Sequence, residues 1–414
     1  MSKILLTADG IPLKVSLKRS LRRRKLRAVA IVTPPVIFLI ILFIVPIGNL
    51  LTRSVDDNLI NDALPRTLSE FSDWDKESLP NEKMFKAMFL DITTAEKYLL
   101  GKSSTRMNYE KPGWKSLLKK SNRKFKRNIK GPPYREAMIK IDKRWGDVKF
   151  WQSLGAMKDR KTLGYFLNAV DRQYDVDKNV IMKPEERRVY VMLWWRTLWL
   201  SLIVTIGCLI LAYPVAHLLA SLPLRYSNLL MICVLMPFWT SLLVRIVAWM
   251  VMLQQNGVIN SALVWIGVLG DENRIEMMYN FTGTVIVMIQ VLLPFMILPI
   301  YSVMKTIPPS YMRAAQSLGA TPMVAFIRVY LPQTLPGIGA GVILVFIVAI
   351  GYYITPELVG GKDGQLIGNM VAYHMQKSLN WGLAAAMSVM LLVAIMILYW
   401  AYDKIVGVDN MKMG

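Results

Sequence analysis

A chain of 414 residues that is 54% hydrophobic, with a mean hydropathy of +0.36, is too apolar for an ordinary soluble protein, and membrane spans are the natural cause. Its formal charge of +22 would point to nucleic acid in a soluble protein, but the basic residues sit largely in the N-terminal tail and one extramembrane insert, where membrane orientation explains part of them. The two cysteines, Cys208 and Cys233, fall inside apolar runs, which argues against a disulfide framework or a metal site and for packing roles.

Residues 1–27 form a basic tail, dense at Lys18, Arg19, Arg22, Arg23, Arg24, Lys25 and Arg27. The apolar run 28–51 follows, long enough at ~20 residues to cross a bilayer. It is too long for a signal peptide, lacks a small-residue cleavage site and contains Pro34-Pro35, so it reads as a first span. The excess of Lys and Arg before it places the tail in the cytoplasm and Leu51 outside.

Residues 52–190 break the membrane pattern and are expected to form an extracytoplasmic insert. The early part is acidic (Asp56, Asp57, Asp62, Glu70) and the middle strongly basic (Lys115, Lys119, Lys120, Arg123, Lys124, Lys126, Arg127). Met84, Phe85, Met88, Phe89, Trp145, Phe150, Trp151 and Leu154 suggest amphipathic helices that pack. Phe125 within the basic run resembles a nucleic-acid patch, but outside the cytoplasm a solvated or lipid-headgroup-facing surface is the better reading, so no nucleic acid is expected.

A regular pattern then begins. The second span is predicted over Leu193–Ala220, entered through Trp194, Trp195 and Trp199, an aromatic belt in which Arg196 can snorkel. The third is predicted over Asn228–Leu253, the fourth over Phe281–Val303, the fifth over Gly337–Ile354 and the sixth over Trp381–Ala401. The count gives an all-α membrane protein with six transmembrane helices, a five-helix core over 191–404 and a second cytoplasmic tail at 405–414.

Between spans four and five lies a polar island, 308–336, which this count places in the cytoplasm together with Lys305, Arg313 and Arg328. It reads as two short helices. Ser310 can cap the first and Gly319 follows its last turn; Thr321 can cap the second, Pro322 suits its first position, and Leu331-Pro332 should stop it.

Catalytic chemistry is missing. Gly360-Gly361-Lys362 has neither the spacing nor the following Ser or Thr of a phosphate-binding loop, and no H-E-x-x-H or Cys/His cluster occurs. His217 and His374 read as structural or incidental. Polar residues inside the spans say more, because each is costly unless it faces a partner or a wet cavity. Arg245 is either a snorkelling or paired residue or a gate. Gln290 lies near the middle of span four, and Tyr213-Pro214 is expected to break span two, as a translocation route requires. Tyr352, Tyr353 and Glu357 mark the outer end of span five, as interfacial anchors or as substrate contacts.

The island resembles the cytoplasmic coupling loop of binding-protein-dependent ABC importer permeases, whose motif reads E-A-A, three residues, G, nine residues, I-x-L-P. Ala314, Ala315, Gly319, Val329, Leu331 and Pro332 fall at matching spacing; Arg313 replaces the glutamate and Val329 the isoleucine. The segments 235–263 and 352–371 are similar to the polyamine-type subfamily of putrescine and spermidine importers, so the resemblance covers roughly 190–410 and leaves the insert uncovered. It implies the type I ABC importer permease fold and residence in the bacterial inner membrane. It also implies alternating access driven by two ATPase subunits that carry ATP and Mg, a second permease subunit and an extracytoplasmic solute-binding protein. No cofactor is expected on this chain itself, and membrane lipids surround it. An opine or another small solute is the alternative cargo. A secondary transporter would need no ATPase and would show paired repeats, which are not evident; a membrane-tethered sensor would need a signalling domain, for which the stretch after Tyr402 leaves little room.

Overall fold

The computed structural model describes residues 13–129, 131–175 and 178–404. Among the described residues six helical stretches are long and apolar enough to cross a membrane: Leu21–Arg53, Tyr190–Ser221, Leu242–Trp265, Phe281–Thr306, Pro322–Ile350 and Trp381–Tyr402, here called spans one to six.

Spans two, four and five pack mutually and form the centre of the bundle. Leu200, Val204, Cys208, Ala212 and Ala216 recur every fourth residue on span two and are fully buried, as a single helix face requires. Span five answers with Gly337, Gly341, Val345 and Ala349, again at intervals of four. A Cβ at Gly337 would come within 2.9 Å of Val303 Cβ and 3.0 Å of the Pro299 carbonyl oxygen, so only glycine lets spans four and five approach this closely.

Several expectations about continuity are corrected. The helix containing Pro214 runs unbroken from Tyr190 to Ser221. Loss of one N–H costs little where both flanks are held by neighbouring helices. The predicted third span, 228–253, is two helices, Leu224–Trp239 and Leu242–Leu253. Pro237 lies in the last turn of the first, and Thr240 and Ser241 are extended. A turn at 254–257 then interrupts span three before Val258–Trp265. Span five begins earlier and ends sooner than predicted, because Leu331-Pro332 does not stop the helix. A π-turn over Phe326–Tyr330 leads directly into Leu331–Ile350. The wider turn accommodates the missing Pro332 N–H, and Gln333 Nε2 donates to the Val329 carbonyl at 2.8 Å.

Span one continues a helix that already begins at Leu13, inside the stretch expected to be a tail, with Pro34 and Pro35 within it. It touches the rest of the chain through Val45–Arg53 against span six, and its apolar residues are otherwise exposed. Residues 1–12 of the expected tail 1–27, and the whole of the expected tail 405–414, lie outside the described residues.

Residues 54–189 build a helical body with its own core, in which Phe85, Met88, Trp114, Phe125, Trp145 and Trp151 are fully buried. Phe85 and Trp145 both pack on Trp151, with ring centroids 4.8 and 5.5 Å away. Arg106, also buried, donates to Asp57 Oδ2 and Glu110 Oε1 at 2.8 Å each and to the Tyr165 hydroxyl at 3.0 Å. Two short antiparallel strands, Arg172–Tyr174 and Val180–Met182, close the body before span two. The body is fastened to that span by Asp171, whose carboxylate accepts from the N–H groups of Val189, Tyr190 and Val191 at 3.1, 3.1 and 2.8 Å. Three donors at a helix start are those left unpaired by helix geometry, and a carboxylate is their best acceptor.

Candidate coupling loop and polar pathway

The loop after span four begins with the helix Pro309–Ser317, whose N-cap is Pro308; Ser310 lies inside the helix and does not cap it. At the other end the Gly319 N–H donates to the Gln316 carbonyl at 3.0 Å and the Ala320 N–H to the Ala315 carbonyl at 3.1 Å. With Gly319 at φ +91°, this is a Schellman termination, which needs a left-handed residue at this place. Thr321 then caps the second helix, its hydroxyl accepting from the Val324 N–H at 3.4 Å, and Pro322 occupies the first turn. The result is two helices at a fixed angle. Arg313 and Ala314 are exposed and Ala315 half-buried on the first helix; Val329, Leu331 and Pro332 belong to the π-turn and the start of the following helix. Leu318 is 89% and Met323 67% exposed, with Ile327 also in the open, so the loop carries an uncovered apolar surface.

Tyr213 joins this loop and stands apart from the other polar candidates. Its hydroxyl lies 3.3 Å from Thr334 Oγ1, and its ring meets Phe326 edge-on at 6.2 Å. One turn further along span two, His217 packs edge-on against Phe326 and Tyr330 at 5.5 and 5.2 Å. The reading of His217 as structural agrees with this packing, while Thr334 had no sequence signal; the four-residue step from Tyr213 to His217 places both on one helix face.

Away from the loop the structure brings Arg245 near Tyr352 and ties Gln290, midway along span four, to span three. Arg245 Nη2 donates to the Thr240 carbonyl at 3.3 Å, while its Nε is buried without a protein partner. One turn along the same helix Trp249 donates to Gln290 Oε1 at 3.1 Å, linking spans three and four. Tyr352 lies beyond the end of span five, near enough to Arg245 to feel its charge; burial raises its hydroxyl pKa and the guanidinium pulls it back. Tyr353 is exposed. Glu357 is engaged elsewhere: it accepts from Asn369 Nδ2 at 2.9 Å and lies 3.7 Å from Lys377 Nζ. Asn369 also donates to the Tyr353 carbonyl at 3.0 Å, so it organises the segment after span five, a role no sequence pattern announced. Among the described residues no group of three or more His, Cys, Asp or Glu could hold a metal ion.

Comparison with known proteins fits this geometry. Residues 208–406 match the family described as binding-protein-dependent transport system inner membrane component. The chain is 35% identical over 211 residues to the spermidine/putrescine transport system permease protein PotB of Escherichia coli (strain K12), covering 50% of this chain and 76% of the relative. It therefore belongs to the binding-protein-dependent permeases. The PotB of Haemophilus influenzae is 36% identical over 225 residues, spanning 54% of this chain and 78% of its own, and the E. coli inner membrane ABC transporter permease protein YdcU 36% over 227 residues, 51% and 70%. A crystal structure of a bacterial alginate ABC transporter in complex with an alginate pentasaccharide-bound periplasmic protein aligns with a TM-score of 0.44 at 17% identity, over 54% of this chain and 80% of that one. As a member of this permease family the chain is a multi-pass inner-membrane component and not itself a catalytic enzyme. The matched region contains the loop and every candidate pathway residue, and it excludes the helical body 54–189.

Proposed function

We propose that this permease subunit moves polyamines of the putrescine and spermidine type, by alternating access coupled to partner ATPases that bind ATP and Mg. The observation that carries the reading is the 35% identity to PotB across three quarters of that permease. In this reading the loop 308–336 faces the cytoplasm and its uncovered Leu318, Met323 and Ile327 dock on an ATPase subunit. The body 54–189 is extracytoplasmic, the two tails 1–27 and 405–414 are cytoplasmic, and a second permease subunit completes the pore. An extracytoplasmic binding protein delivers the solute and carries much of the selectivity, since Glu357 is already engaged by Asn369 and Lys377. Arg245, Gln290 and Tyr352 line the route, with Tyr353 at its outer rim.

The loop is a rigid lever on spans four and five, because both its helix ends are fixed by hydrogen bonds and its second helix continues into span five. Uptake of labelled putrescine, spermidine and an opine by cells with and without the gene tests the cargo. Loss of polyamine uptake on deletion is expected; unchanged uptake of both polyamines with loss of opine uptake overturns the polyamine assignment. Co-purification of an ATPase from lipid-containing extracts tests the coupling.

A further inference from the structure

A crevice of about 480 Å³ separates the helix Lys97–Glu110 of the helical body from the link that precedes span six. Lys97, Lys102, Lys115 and Lys377 line it, and no carboxylate does. Arg106 also borders the crevice, but its charge is met by Asp57 and Glu110. Of the four lysines, among the described residues only Lys377 has an acidic partner, the exposed Glu357 at 3.7 Å. Lys97 and Lys115 also line an adjoining groove of about 660 Å³ along the helix Trp114–Asn128, where Lys119 and Arg123 continue the same charge, again without a carboxylate.

The position of the crevice identifies what can fill it. Leu379 and Asn380 form one wall and immediately precede Trp381, the first residue of span six. The end of span one is at the same level, with Arg53 Cζ 5.8 Å above the Trp381 ring. The rim is apolar and open, with Tyr98 70% and Leu379 47% exposed. Cations behind an aromatic and aliphatic rim, at the level where two spans leave the hydrocarbon, fit a group that is anionic at its head and apolar below.

We propose that this crevice binds the phosphate of an anionic phospholipid, clamping the helical body 54–189 onto the membrane beside span six. The chemistry recognised is a phosphate monoanion held by lysine ammonium groups, and the acyl chains run past Leu379 and Trp381. A polycationic solute is repelled from such a site, so the inference stands apart from the transported cargo.

The test uses the purified full-length protein in neutral detergent, with dioctanoyl phosphatidylglycerol, dioctanoyl phosphatidylcholine and inorganic phosphate added separately at equal concentration. Binding is read by native mass spectrometry and by the melting midpoint. Phosphatidylglycerol should bind and raise the midpoint, while the other two leave it unchanged. Replacing Lys97, Lys102 and Lys115 together by Gln should weaken lipid binding by roughly fivefold for each lysine and leave the lipid-free midpoint in place. If the triple variant does not fold, Lys97→Gln and Lys115→Gln singly carry the same test, since both side chains are exposed. An equal shift with inorganic phosphate overturns the lipid as occupant. An undiminished shift in the variants, or equal binding of phosphatidylcholine, overturns the site.

Discussion

The hydroxyl of Tyr213 donates to Oγ1 of Thr334 across 3.3 Å, because Thr334 spends its own proton on the Leu331 carbonyl at 2.7 Å. This bond ties the loop-proximal part of span two to the first turn after the π-turn, so movement of the loop is felt by span two directly. Tyr213→Phe keeps the ring against Phe326 and removes only the bond, worth about 0.5–1 kcal/mol. The expected result is normal membrane abundance with less solute transported per ATP hydrolysed in reconstituted vesicles. An unchanged ratio would remove Tyr213 from the coupling path.

Gly319 offers a sharper probe of the loop. A Cβ added there meets nothing within 4 Å, so a substitution is opposed by backbone conformation and not by crowding. At φ +91° a branched L-residue costs ~1–2 kcal/mol, whereas asparagine tolerates the left-handed region better. Gly319→Val should therefore abolish most uptake without changing membrane insertion, and Gly319→Asn should restore a measurable part. Equal uptake in wild type and Gly319→Val would refute the lever.

Asp171 should be tested as the fastening between the helical body and span two. Asp171→Ala leaves three N–H groups at the start of span two without their carboxylate, a loss of about 1–2 kcal/mol. Limited proteolysis of the full-length protein should cut faster near 171–189 in the variant, with the rest of the digestion pattern unchanged.

His374 predicts an acid sensitivity. It is 2% exposed, bonded to Tyr190 OH at 2.9 Å and to Ser378 Oγ at 2.8 Å, and burial, reinforced by the charge of Lys183, pushes its pKa down from 6.5 to about 4. The unfolded chain takes up a proton below pH 6.5 that the native state refuses until about pH 4. Stability is complete above 6.5 and falls as the pH drops through this window, by up to ~3 kcal/mol. The melting midpoint of His374→Gln, plotted against pH, should fall less steeply than that of wild type between 6.5 and 4; parallel curves would contradict the assignment.

The membrane architecture was legible because a span is a composition, and composition survives in a single sequence. The apolar runs around Phe281 and Trp381 marked span starts that the structure places at the same residues. Continuity was not legible. Pro214, Pro237 and Pro332 look alike in sequence, yet one sits inside an unbroken helix, one precedes an extended break and one follows a π-turn. What separates them is packing against helices distant in the chain. The same holds for the polar candidates: Arg245 and Gln290 stood out as polar residues in apolar runs, but the Trp249 bond that engages Gln290 and the Asn369 bond that occupies Glu357 depend on contacts that periodicity does not encode.

The π-turn at Phe326–Tyr330 also has a geometric effect on the loop. Each residue of an α-helix advances the direction of its side chains by about 100°, so widening one turn by a residue offsets everything before it from everything after. The face on which Met323 and Ile327 are displayed is thereby set independently of the face on which Gly337 and Gly341 meet span four. Deleting one residue within 326–330 would restore a plain helix with the loop still aimed as before, whereas tightening the π-turn to an α-turn with every residue kept would swing the loop by roughly that angle. Aim and anchorage are thus separately adjustable: what the loop presents can change while the packing of spans four and five stays as it is.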